Sequence, residues 1–174
     1  AVFEATVANR PPMSKLGRVE RALTADAWAA YLRTRGYIAQ ANAPEDAVRL
    51  KKEMQFEREF VKAGGLLMAG CDPTGIGGVL PGYGDQRGLE LLVEAGFSPV
   101  EAIRIATLNG ATFLGEERSI GSIAPGKAAD LVVLAGNPEK NINDVEKVET
   151  VFKDGIGYDP AKLKRSVEGL MGLR

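Results

Sequence analysis

Asp72 is the residue with the clearest prospect of chemistry in this sequence. It closes the apolar run Gly65-Leu66-Leu67-Met68-Ala69-Gly70-Cys71 and opens a loop, Pro73 to Asp85, that is rich in Gly and Pro. A carboxylate at the carboxyl end of a strand can ligate a metal ion, or hold a metal-bound water and accept its proton. The same position suits an Asp that caps the turn begun by Pro73. Position alone leaves both open. Tyr83, Asp85, Gln86 and Arg87 follow in one cluster and could contact a substrate. The planar fork of Arg87 suits a carboxylate, although solvated loop residues have the same composition.

Two glycine patterns carry no such prospect. Gly121-x-x-x-x-Gly126-Lys127 imitates a phosphate-binding loop, but Ala128 stands where a hydroxyl should meet magnesium. Pro125 also removes an N–H from the cradle, and a strand rather than a helix follows. Gly75-x-Gly77-Gly78 lacks the third glycine and the immediate helix of a dinucleotide site. Asn109, inside a helical pattern, has no assigned site role, since such a residue usually faces solvent or bonds locally.

The chain has 174 residues, no histidine and one cysteine, Cys71. Without histidine it cannot build a His-rich zinc site, a His general base or a Ser-His-Asp triad from its own residues. One cysteine excludes an internal disulfide framework. The net charge of −1 gives no electrostatic reason to expect nucleic acid or an anionic membrane as partner. No stretch of about 20 apolar residues spans a bilayer. Ala1-Val2-Phe3-Glu4-Ala5-Thr6-Val7 reads as the continuation of something longer, so a leader could precede it and the compartment stays open.

The elements that must hold Asp72 alternate between helix and strand, the pattern of an α/β fold. Thr24 caps a helix expected over about 25–35, with Gly36 as its stop and Trp28, Tyr31 and Leu32 on its apolar side. Pro44 begins a helix to about residue 63. Its apolar side holds Ala47, Leu50, Met54 and Val61, flanked by Phe56 and Phe60, and its charged side is expected in solvent. Gly64-Gly65 ends it, and the apolar run follows as a fully buried strand, expected in a parallel sheet. A short helix over about 86–95 closes at Gly96. Ser98-Pro99-Val100-Glu101 is a capping box that opens a helix to about Leu114, with Ile103, Ala106, Ala111 and Leu114 near one face. Strands are expected at 129–134 and 148–153 with turns at Gly136-Asn137-Pro138 and Asp154-Gly155. A last helix of about ten residues starts after Asp159-Pro160.

Taken in order, four segments resemble the amidohydrolase superfamily. Ala69-Gly70-Cys71-Asp72 is similar to its eighth strand, usually Gly-Thr-Asp. Leu89 to Pro99 and Ala102 to Leu114, with Ala106-Thr107-Leu108-Asn109, look like the two following helices. Gly121-Ser122-Ile123-Ala124-Pro125-Gly126-Lys127-Ala128-Ala129-Asp130-Leu131-Val132-Val133-Leu134 resembles the return into its small β-sandwich domain and is the most specific of the four. The resemblance covers about 64–156 closely, nearest to the imidazolonepropionase and Xaa-Pro dipeptidase (prolidase-like) branch. Residues 1–63 look like the seventh barrel unit with an insertion.

The resemblance implies the C-terminal part of a TIM-like (β/α)8 barrel over residues 1–118, its eighth strand at about 65–72. Strands of the composite sandwich follow at 119–158, and a C-terminal helix at 159–174. It further implies a metal-dependent hydrolase of amide or cyclic C–N bonds with a small-molecule or dipeptide-like substrate. Asp72 would be metal ligand and catalytic residue, with Tyr83 and Arg87 as substrate contacts. The cofactor would be one or two divalent ions, zinc first. Most ligands would lie outside this chain, because the family's His-x-His, its bridging Lys or carboxylate and its later histidines have no counterpart here. The N-terminal part of the same enzyme would then be a partner, self-association stays open, and the chain alone would be inactive. The competing reading is a non-catalytic α/β module that binds a ligand or partner through loop 73–88.

Overall fold

The computed structural model describes residues 7, 8, 10, 20–71 and 82–172. Asp72 and the glycine loop through Pro81 therefore lie outside the described residues.

Helix α1, Ala25–Ala41, is capped by Thr24, whose Oγ1 accepts from Ala27 N at 3.2 Å. It runs through Gly36 rather than stopping there. The real stop is Asn42, at φ 42° in the left-handed region. A helical glycine costs about 1 kcal/mol, whereas Asn tolerates the left-handed cap, so the terminus falls at Asn42. Tyr31 is buried and stacks on Trp28 at 5.6 Å, while Leu32 remains 44% exposed.

Helix α2, Pro44–Lys62, follows the expected bounds, but of its apolar side only Leu50 is buried. Phe56 and Phe60 stack on each other at 6.3 Å and stay exposed. Glu53 and Glu57, expected in solvent, are half-buried, and burial first, then the charge of Glu53, pushes the Glu57 carboxyl up.

The run Gly65–Cys71 overturns the expectation of a fully buried strand: it joins no sheet among the described residues. Leu66 and Met68 are 43% and 39% exposed. A parallel strand needs a hydrogen-bonding neighbour, and none of the described residues supplies one.

Helix α3 is Tyr83–Glu94, closed by Gly96 at φ 102°. The capping box at Ser98 forms as expected, with Ser98 Oγ accepting from Glu101 N at 3.3 Å and Glu101 Oε2 accepting from Ser98 N at 2.7 Å. The single helix expected to Leu114 is instead two, α4 Pro99–Ala106 and α5 Leu108–Leu114, broken at Thr107. Thr107 Oγ1 donates to Ile103 O at 2.7 Å, a back-bond that bends helices. The break moves the buried stripe to Ala102, Ile105 and Ala111, leaving Ala106 and Leu114 exposed. Leu92, Phe97, Ala102 and Ile105 form one buried cluster, against which Val61 and Leu67 pack.

The last region is a three-stranded antiparallel sheet in the order β1 Leu131–Leu134, β2 Val148–Lys153, β3 Ile156–Tyr158. The sequence reading contained the first two strands and missed the third. Asp154 and Gly155 both have positive φ, 51° and 79°, the conformation of a two-residue hairpin that pairs Lys153 with Ile156. A 3-10 helix, Ile142–Glu146, connects β1 to β2. Helix α6, Pro160–Ser166, is seven residues rather than ten, with Asp159 Oδ1 accepting from Ala161 N at 2.7 Å. No described helix is long and apolar enough to cross a membrane.

Candidate active site

Cys71 and Tyr83 flank the undescribed segment that begins with Asp72. Both pack against the same buried pair, Leu23 and Tyr31, together with Ala27, Trp28 and Met171. One apolar cluster, built by α1 and the C-terminal tail, therefore pins the described residues on either side of that segment. The tail contributes because Met171 N donates to Ala22 O at 2.9 Å and Met171 O accepts from Thr24 N at 2.8 Å. Tyr31, 3% exposed, keeps a hydroxyl with no hydrogen-bond partner among the described residues, and burial raises its pKa above the usual phenol value.

Arg87 lies one turn into α3 with its side chain 13% exposed. Its Nη1 meets Glu90 Oε2 at 2.6 Å and its Nη2 lies 3.6 Å from Glu94 Oε2. Glu94 in turn takes a two-pronged bond from Arg10, at 2.5 and 2.6 Å. That fork holds the Glu94 carboxyl below the usual range against the opposing effect of burial. The guanidinium read as a carboxylate reader thus already faces carboxylates of its own helix. The spacing Arg87, Glu90, Glu94 carries this pairing in the sequence, where it went unread.

Gln86 is structural in part: its Nε2 donates to Val145 O at 3.2 Å and ties α3 to the 3-10 helix before β2. Asp85 stands exposed in the first turn of α3. Asn109, which has no assigned site role in the sequence reading, donates from Nδ2 to Leu67 O at 2.8 Å. It fixes α5 to the apolar run four residues before the half-buried Cys71. A polar side chain on the inner side of an otherwise apolar helix was the available signal.

Lys127, the lysine of the false phosphate loop, spends its donors on that loop. Its Nζ bonds Glu117 O, Ile120 O at 3.3 Å and Ser122 Oγ at 2.6 Å.

No three Cys, Asp or Glu side chains come together to hold a metal ion among the described residues, and the sequence offers no histidine. These residues do not by themselves fit a metal centre.

The helices, the return loop and the small sheet belong together as a family. The amidohydrolase family model matches residues 34–156, and this chain belongs to that family. The chain is 34% identical to the imidazolonepropionase of Clostridium tetani over 120 residues, 64% of this chain and 27% of that protein. Among solved structures, an amidohydrolase from Thermotoga maritima superposes with a TM-score of 0.52 at 33% identity, covering 61% of this chain and 26% of that one. A Xaa-Pro dipeptidase with methionine bound in its active site gives a TM-score of 0.50 at 26% identity, covering 76% and 33%. The chain thus spans between a quarter and a third of the length of these proteins, in an α/β architecture.

Proposed function

We propose that this chain is the C-terminal portion of an amidohydrolase that hydrolyses an amide or cyclic C–N bond in a small or dipeptide-like molecule. The observation that carries the reading is the family match over residues 34–156. Likeness to an imidazolonepropionase and to a Xaa-Pro dipeptidase supports a C–N bond as the point of attack.

In this reading residues 1–118 are the last units of a (β/α)8 barrel with its eighth strand at about 65–72. Residues 119–158 are strands of a small β-sandwich and 159–174 its terminal helix. The run Gly65–Cys71, which joins no sheet among the described residues, supports this, since its exposed Leu66 and Met68 would be covered by neighbouring strands from the N-terminal part of the same enzyme. Asp72 is the proposed catalytic residue and metal ligand. The divalent ion, zinc first, would take its other ligands from outside this sequence, which holds no histidine. Tyr83 and Arg87 are the proposed substrate contacts, Arg87 by exchanging Glu90 or Glu94 for a substrate carboxylate.

The test is Asp72→Ala in the longest reading frame that encodes this sequence, assayed on amide and cyclic-amide substrates. Loss of a positioned proton acceptor lowers kcat/KM by about 10²–10⁴-fold. Unchanged turnover overturns the reading.

A further inference from the structure

We propose that Asn109 is a positioning residue, which holds the run leading into Asp72 in place through its bond to Leu67 O. The catalytic consequence of this hold rests on the hydrolase reading above. Among the described residues, 66–70 make two hydrogen bonds, and both reach the junction of α4 and α5. Asn109 Nδ2 donates to Leu67 O at 2.8 Å, and Ala69 N donates to Ile105 O at 3.4 Å. Leu67 also packs against the cluster of Leu92, Phe97, Ala102 and Ile105. A run that joins no sheet among the described residues thus takes its place from a broken helix.

The junction is itself held from behind. Ala111 lies two residues beyond Asn109, roughly opposite it around a helix of 3.6 residues per turn, and is buried. The return loop seats on that side through Gly121, at φ 83°. A Cβ at Gly121 would lie 2.5 Å from Ala111 Cβ and 3.1 Å from Leu108 Cα, so no methyl group fits between loop and helix. Glu116 N donates to Ala111 O at 2.9 Å and fastens the end of α5 to the same loop. Helix α5 therefore cannot back away from the run without displacing the return loop.

The residue type matters as well as the place. The half-buried amide offers a donor to a backbone carbonyl, which an ionised carboxylate there could not do and an apolar side chain would leave unpaired. The run is then held a second time at Cys71, packed against Leu23 and Tyr31, and Asp72 is the next residue in the chain. A shift at Leu67 is passed along this short stretch. Where a reacting group must sit in one place, a displacement of about 1 Å can cost about 10²-fold in rate.

The experiment compares Asn109→Leu, which removes the donor at nearly the same size, with Asn109→Asp, which sets carboxylate oxygens against Leu67 O. Both are matched for folded fraction by circular dichroism, and if the Asp variant does not fold the Leu variant decides. In the 174-residue chain, exchange of the Ala69 amide and alkylation of Cys71 at fixed pH should each speed up about fivefold in the Leu variant and about tenfold or more in the Asp variant. In the longest reading frame that encodes this sequence, Asn109→Leu should lower kcat about tenfold while KM stays within about twofold, the split of a group that places a reacting residue without holding substrate. Unchanged exchange and alkylation would overturn the inference. So would faster exchange and alkylation with full kcat, or a rise in KM at unchanged kcat. Turnover kept by Asp72→Ala overturns the hydrolase reading instead, and the two probes then decide by themselves whether Asn109 holds the run.

Discussion

The return loop and small sheet, residues 116–158, and the helix-and-run segment, residues 44–71, both lie in the family match but for the last two residues of the sheet, and they close in opposite ways. In the first, polar side chains satisfy nearby backbone. Lys127 ties Glu117, Ile120 and Ser122 together. Asp130 accepts from Asp154 N and from Lys153 Nζ, both at 2.8 Å. Asp144 accepts from Asn137 N at 2.8 Å and pairs with Lys147 at 2.8 Å. In the second, the residues after Gly65 are held by long-range bonds: Asn109 Nδ2 to Leu67 O, and Ala69 N to Ile105 O at 3.4 Å. Its apolar residues Leu66 and Met68, and Phe56 and Phe60 on the preceding helix, remain exposed. A region that carries its own polar partners is complete within its own stretch of chain. A strand is complete only with other strands.

Removing the knot at Lys127 is the strongest challenge to the self-contained region. Lys127→Met leaves the carbonyls of Glu117 and Ile120 without their charged donor and costs about 1.5–3 kcal/mol, measured by urea unfolding of the full chain. A loss under about 0.5 kcal/mol, the range of an ordinary surface change, would show that the loop does not depend on this closure.

A smaller effect should appear at Asp130. The Lys153 ammonium first, then the Asp154 N–H, holds its carboxyl below the usual range. A depressed folded-state pKa gives stability that is complete above the unfolded value and fades as pH falls through the folded one. Lys153→Met should therefore raise the Asp130 pKa, seen in carboxyl carbon NMR titration. Its stability deficit should be present at neutral pH and shrink on acidification. A deficit that grew on acidification would contradict the pairing.

The smallest effect belongs to the open region. Leu66→Ser in this chain should change stability by no more than about 0.5 kcal/mol, because the side chain is already 43% exposed. A loss above about 1 kcal/mol would place Leu66 in a core and break the contrast between the two regions.

Features set by neighbouring residues were legible in the sequence. Thr24, the Ser98–Glu101 box, the proline at residue 44 and the Asp159–Pro160 start all mark helix termini where they were expected. The turn at Asp154–Gly155 was legible, though the short strand after it was not, since three residues carry too little periodicity. Gly36 misled because a helix tolerates one glycine when a better cap, Asn42, lies further on. The candidate site was legible only as a position in the chain. Asp72 lies outside the described residues, and the pairing of Arg87 with Glu90 and Glu94 answers what its guanidinium does in this structure.

The sequence by itself determined the family, the helix caps, the polar spacing that closes residues 116–158, and the lack of any histidine. Each of these is carried by residue identities within the segment concerned. Only the tertiary structure decided that the helix after Ser98 breaks at Thr107, that Asn109 holds Leu67, and that Cys71 and Tyr83 share one cluster with the C-terminal tail. It also decided that the apolar run joins no sheet among the described residues. The physical reason is common to all of these: burial and strand pairing depend on residues tens of positions apart, and local spacing carries no record of which distant partners are present.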